Sequence, residues 1–263
     1  MMTLSLAQYL LGALSGSLVG LSLGLFGGGG SILAVPLMVY LVGVPSPHMA
    51  IGTSAFAVAA NAAGNLVTHA RLGNVKWRCA LMFSGTGILG AVLGSTIGKA
   101  VDGQQLLFLF AILMIGVAGL MFRDRSRVGD ASAQCTRTNA PKVIGFGGAT
   151  GMFSGFFGIG GGFLVVPGLV ASTGMPMLTA IGSSLVAITA FGLTTALNYA
   201  RSGLVDWPLA LVFVAGGLAG GVAGAFIARW LSGRKSALNV AFAGLIVVVA
   251  LYMLFRSGQA FLA

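Results

Sequence analysis

The chain has 263 residues, 57% of them apolar and only 7% charged, with a mean hydropathy of +1.01 and a formal net charge of +10. No ordinary soluble domain hides that apolar share; apolar runs of about 20 residues recur, long enough to cross a bilayer, while the alternating strands of about 10 residues that build a membrane barrel are absent. The positive charge does not point to nucleic acid, because the 14 Lys and Arg lie mainly in short loops, as the positive-inside rule expects.

In chain order, Met1 to Gly20 holds no Lys or Arg and so lacks the basic start of a cleaved signal peptide. Residues 5–26 are expected to form a retained first membrane helix. The glycine run Phe26-Gly27-Gly28-Gly29-Gly30-Ser31 follows, then a shorter apolar piece, 31–43, with Pro45 and Pro47 marking a turn. Residues 48–70 form a third segment that ends at Arg71. The loop 71–76 leads to Trp77, an interfacial anchor. Segments at 77–98 and 104–122 complete the first half. Residues 123–142 are a polar, basic linker, and the second half supplies segments at 143–157, 163–173, 177–200, 207–230 and 237–255.

The second half repeats the first. Ile51-Gly52-Thr53-Ser54 matches Ile181-Gly182-Ser183-Ser184 at an offset of 130, and Arg71-Leu72-Gly73-Asn74-Val75-Lys76-Trp77 matches Arg201-Ser202-Gly203-Leu204-Val205-Asp206-Trp207. A second glycine run, Phe157-Gly158-Ile159-Gly160-Gly161-Gly162, matches the first at an offset of 131. The expectation is an all-α polytopic membrane protein with two homologous repeats of five helical segments, 1–122 and 143–263, joined by the cytoplasmic linker 123–142. Each repeat holds a glycine-rich broken hairpin.

If each broken pair turns back on itself, the halves are inverted. The loops 71–78, 123–142 and 229–235 then share the cytoplasmic side, and only Lys99, Arg201 and Arg256 face out. If each broken pair makes one crossing, the halves are parallel, and the charge rule barely separates the two. Inversion is favoured because residues 5–43 are too many for one crossing at about 1.5 Å per residue. Interrupted helices of inverted repeats meeting near the midplane are a familiar transporter plan.

The chain has no Glu, and its four Asp, at 102, 124, 130 and 206, fall in loops or at boundaries. No carboxylate is available within the membrane to bind a cation or relay protons or to act as a buried general acid. No cofactor, metal or catalytic residue is called for. Cys79 and Cys135 show neither a disulfide framework nor a metal spacing and are expected to be free thiols.

What remains suits an anion. Helices starting after the glycines would turn free N–H groups into the breaks, which makes Gly28, Gly29, Gly30, Ser31, Gly160, Gly161 and Gly162 candidate binding positions. Thr53, Ser54, Ser183 and Ser184 begin the third segments, while Asn61, Asn65 and Asn198 lie deeper, and Asn61 and Asn65 share a face. The bland alternatives are tight packing for the glycines and helix–helix hydrogen bonds for the hydroxyls. Arg71 and Arg201 occupy matching places, either snorkelling to the interface or attracting charge at each mouth. His69, one turn from Asn65, could couple a proton; His48 is placed in a loop.

The two copies of Phe-Gly-x-Gly-Gly-[Gly/Ser]-x-Leu-x-Val-Pro at 26–36 and 157–167, Ala-Ile-Gly-[Thr/Ser]-Ser at 50–54 and 180–184, and Gly-x-Val-x-Trp at 73–77 and 203–207 carry a resemblance. They are similar to the sulfite exporter TauE/SafE family, also called the 4-toluene sulfonate uptake permease family, and the likeness covers nearly the whole chain. It implies a carrier in the bacterial inner membrane for sulfite, sulfoacetate, aromatic sulfonates or related sulfur anions, with the small anion and the lipid bilayer as partners; a homodimer is compatible with it. The first copy departs from the second at Gly28 (Ile159) and Ser31 (Gly162), so the two half-sites need not be equivalent. The rival classes are a passive anion channel or an uptake permease for another small anion, a membrane enzyme, and a structural partner without ligand.

Overall fold

The computed structural model describes residues 4–123, 135, 138–158, 162–230 and 235–262. Their regular structure is entirely helical, with no strand among them. In order they form α1 (Leu6–Phe26), a 3-10 stretch (Gly27–Leu33), one α-turn α2 (Ala34–Pro36) and a π-turn (Leu37–Leu41). Then come α3 (Pro47–Arg71), α4 (Trp77–Ala100), α5 (Gly103–Arg123), α6 (Ala140–Phe157), α7 (Gly162–Thr173), α8 (Met177–Ala200), α9 (Trp207–Trp230) and α10 (Lys235–Leu262). Among the described residues five stretches are long and apolar enough to cross a membrane: Leu6–Gly24, Pro47–Arg71, Trp77–Ala100, Met177–Ala200 and Trp207–Gly224.

Local chemistry sets the ends. Ser46 caps α3, its hydroxyl accepting from the Met49 N–H at 3.4 Å, and Pro47 fills the first turn. His48 therefore belongs to α3 and not to a loop. Asp102 and Asp206 cap α5 and α9 by accepting from Gln104 N–H at 2.9 Å and Leu209 N–H at 3.0 Å. Two of the four Asp are thus occupied as caps. The matched turns after α3 and α8 both close on a left-handed glycine, Gly73 at φ +72° and Gly203 at φ +68°.

The two breaks differ. α6 ends at Gly158, left-handed at φ +67°, and α7 restarts at Gly162. The first break has no such stop, since the chain tightens into 3-10 geometry at Gly27 and continues. The 3-10 stretch packs against α7, so the breaks of the two halves lie side by side.

The halves interleave. α1 lies along α9 and α4 along α6, so the first helix of each half packs on the fourth helix of the other. Small residues make this possible, as expected where lipid supplies no hydrophobic drive between helices. A Cβ at Gly16, Gly20 or Gly220 would run into the backbone of Phe213, Gly217 or Ser17 across the α1–α9 contact. Gly147, Gly151 and Gly155 meet Phe83, Gly87 and Ala91 in the same way across α6–α4. Residue numbers rise together in both pairs, so each pair runs in one direction. α3 and α8 cross at the centre in opposite directions, with Gly52 against Leu204 and Gly182 against Asn74.

A second expectation is corrected. Cys79 and Cys135 are not free thiols; they form a disulfide with Cα atoms 5.4 Å apart. The chain before α6 returns to the start of α4, a contact across 56 residues that no local spacing announces.

Candidate functional site

The hydroxyls at the starts of α3 and α8 come first, because they divide the site. Thr53 accepts from the Asp206 N–H at 3.0 Å, and its equivalent Ser183 accepts from the Lys76 N–H at 2.9 Å. Each hydroxyl pins the turn that enters the other half's fourth helix. Since α3 and α8 are antiparallel, Thr53 lies at one end of the pair, and Ser183, at the turn that follows Arg71, lies at the other. Eighteen residues of helix at 1.5 Å each separate these ends by about 27 Å. Ser54 and Ser184 donate to their own helices, to Ile51 and Ile181 carbonyls at 3.1 and 2.8 Å. The structure therefore does not gather these four hydroxyls at one place.

The centre is occupied by Asn61. It lies at mid-length on α3, is fully buried, and neither its Nδ2 nor its Oδ1 has a hydrogen-bond partner among the described residues. Its amide is pressed against Gly217 of α9, where any Cβ would strike it. Asn65, one turn on, donates from Nδ2 to the Asn61 carbonyl at 3.0 Å and lies near Gly221. The residue matching Asn61 in the second half is Phe191, which presses on Gly87 as Asn61 presses on Gly217 and stacks with Phe83 at 6.4 Å between ring centroids. One half thus carries an amide at this crossing and the other an aromatic ring.

The first glycine run folds back against α1. Gly30 is buried against Ser22 and Leu23 of α1, and Ser31 is fully buried. Gly28 and Gly29 belong to the 3-10 stretch, and Gly162 is buried at the first position of α7. Gly160 and Gly161 lie outside the described residues.

Asn198 does not sit deep. It stands near the end of α8 and bonds Lys99, which the sequence puts among the outward-facing cations but not among the candidate binding residues. Lys99 Nζ donates to Asn198 Oδ1 at 2.9 Å, to the Asn198 carbonyl at 3.1 Å and to Ser202 Oγ at 2.9 Å. The matching positions of the duplication could have drawn notice to Lys99, since it aligns with Arg229. Arg71 and Arg201 are both exposed. His69 is half-buried with Nδ1 unpaired among the described residues, and its carbonyl accepts from the Asn74 N–H at 3.0 Å. At the start of α4, Lys76, Trp77, Arg78, Cys79 and Cys135 line a pocket of ≈ 230 Å³.

Set against known proteins, residues 12–257 match the family model described as Sulfite exporter TauE/SafE. The chain belongs to the sulfite exporter TauE/SafE family. It is 51% identical over 255 residues to a probable membrane transporter protein of Xylella fastidiosa (strain 9a5c), covering 95% of this chain and 96% of that one. It is 26% identical over 215 residues to the probable membrane transporter protein YdhB of Bacillus subtilis (strain 168), covering 79% and 85%. To the probable membrane transporter protein MJ0441 of Methanocaldococcus jannaschii it is 29% identical over 216 residues, covering 75% and 78%. As a TauE/SafE member with five apolar helices of spanning length, the chain is a multi-pass membrane protein.

Proposed function

We propose that this TauE/SafE chain is a secondary transporter that exports a small sulfur-containing anion, sulfite or an organosulfonate such as sulfoacetate, across the bacterial inner membrane. The observation that carries the reading is Asn61. An amide at the centre of the helix bundle, fully buried and without a partner among the described residues, is a donor and an acceptor held ready for a ligand. The only Asp side chains among the described residues, Asp102 and Asp206, cap helices at their ends. Polar groups without opposing carboxylates suit an anion better than a cation. Gly162, at the first position of α7 and beside the 3-10 stretch that holds Gly28, Gly29, Gly30 and Ser31, would turn helix-start N–H groups toward the anion. A helix start gives an anion about 0.3–1 kcal/mol, up to about 2 when partly buried, which is loose enough for release.

The repeats 1–122 and 143–263 are read as inverted. Support comes from helix directions: α1 runs with α9, α4 runs with α6, α3 runs against α8, and tight turns at 72–76 and 201–206 reverse the chain. Those directions together favour opposite senses for each matched helix. Rocking of two such interleaved bodies about a central site would alternate access. Arg71 and Arg201, exposed at matching places, would attract the anion at the two mouths.

The test is flux of labelled sulfite and sulfoacetate into liposomes containing the purified protein, with and without an imposed potential and pH gradient. Saturable flux of either anion is the expected result. A folded protein that moves neither anion overturns the substrate class, and flux that never saturates favours a passive channel.

A further inference from the structure

We propose that Lys99 is a gate residue: its clasp between α4 and α8 holds shut the end of the molecule that carries the 101–102 and 201–206 turns. The clasp joins the last turns of the two helices. Lys99 brings three bonds from α4, and Asn198 returns two, from Nδ2 to Ser95 Oγ at 2.6 Å and to Thr96 Oγ1 at 3.1 Å. All partners of the ammonium are neutral. Beneath it lies Tyr199, fully buried, its ring centroid 5.9 Å from Nζ and 6.3 Å from the ring of His48; the Tyr199 hydroxyl has no partner among the described residues.

The duplication makes the clasp informative. The contact of Thr53 with Asp206 has a counterpart in that of Ser183 with Lys76. The clasp cannot be repeated at the opposite end, because Ser202 matches Leu72, which has no acceptor side chain, and Asn198 matches Thr68, which is shorter and has a single oxygen. One end of the α3–α8–α4–α9 crossing is therefore tied by five polar bonds, and the matching residues at the other end cannot tie it in the same way. A bundle of repeated halves whose two ends are tied by different contacts, this polar clasp at one and the Cys79–Cys135 disulfide at the other, is built to open and close unequally. An anion entering at this end is also a stronger partner for an ammonium than an amide or hydroxyl is, so release of the clasp has a chemical trigger.

The gate rests on the alternating-access reading, but its test needs no cargo. Thr195, fully buried one turn inside the clasp, is changed to Cys in a Cys79→Ser, Cys135→Ser background. Its labelling by a charged maleimide is timed in lipid nanodiscs. Lys99→Gln is expected to raise the rate about tenfold, the loss of bonds to a charged group, Ser202→Ala to raise it less, and Arg256→Gln, an exposed cation on α10 outside the clasp, to leave it unchanged. Equal rates in the Thr195→Cys parent and in folded Lys99→Gln, or an equal rise in Arg256→Gln, overturn the gate. If Lys99→Gln does not fold, Ser202→Ala decides alone, an unchanged rate counting against the gate. Anion flux measured separately in the same proteins keeps a failure of the gate distinct from a failure of the transport reading.

Discussion

A buried amide without a partner costs about 1–3 kcal/mol, and Asn61 is such a group among the described residues. That cost gives a test that separates cargo binding from structure. Asn61→Leu keeps the volume and removes the orphan donor and acceptor, so thermal stability is expected to hold or rise while anion flux falls at least about tenfold. A structural amide would do the reverse, losing stability with flux little changed. Thr53→Val and Ser183→Val offer the contrast. Each deletes one hydroxyl that accepts a backbone N–H, so each is expected to lower stability by about 1 kcal/mol. At this scale the sequence was partly legible. Asn61 and Asn65 stand out because amides in an apolar segment are few and four residues put them on one face. The partners of Thr53 and Ser183 lie 153 and 107 residues away, and those of Lys99 lie 99 and 103 away. Sequence shows the polar groups but not which of them already have partners, and that decides which are free for a ligand.

Among the elements, α6 separates two kinds of glycine. Gly151 faces the Gly87 backbone of α4, whereas an added Cβ at Gly145 meets nothing within 4 Å. Gly145→Ala should be neutral or stabilising by up to about 1 kcal/mol, the helix-propensity gain. Gly151→Ala should destabilise the fold, because backbone on the far side cannot move aside as a flexible side chain can. Thermal melts of the two variants in one detergent make the comparison. Gly29→Val and Gly161→Val, in the breaks, are expected to abolish flux with membrane insertion intact. The helices themselves, their order and the duplication were readable from hydropathy and from the repeated glycine runs. The exchange of partners between halves was not. Glycine spacing marks a face made for close approach, and it carries no record of which helix comes to meet it.

For the whole molecule, the interleaving means that neither half buries its first helix alone. The Cys79–Cys135 bond ties part of the 123–142 linker to α4 across 56 residues. Closing a loop of this length typically contributes about 2–4 kcal/mol by limiting the unfolded chain, and reduction is expected to lower the melting temperature with flux per folded molecule unchanged. Direction of transport is a further property of the whole chain. For a monoanion, an inside-negative potential of 100 mV is worth about 2.3 kcal/mol toward the outside, which corresponds to roughly fiftyfold accumulation at equilibrium. Electrogenic export therefore predicts that potassium-diffusion potentials imposed on loaded liposomes speed efflux when the lumen is negative and slow it when the sign is reversed. A carrier that moved one proton with each anion would be blind to the potential and follow the pH gradient instead. His69, half-buried on α3 beside Asn65, is the residue whose replacement by Gln should then matter, and under potential-driven export the same variant should leave the rate unchanged.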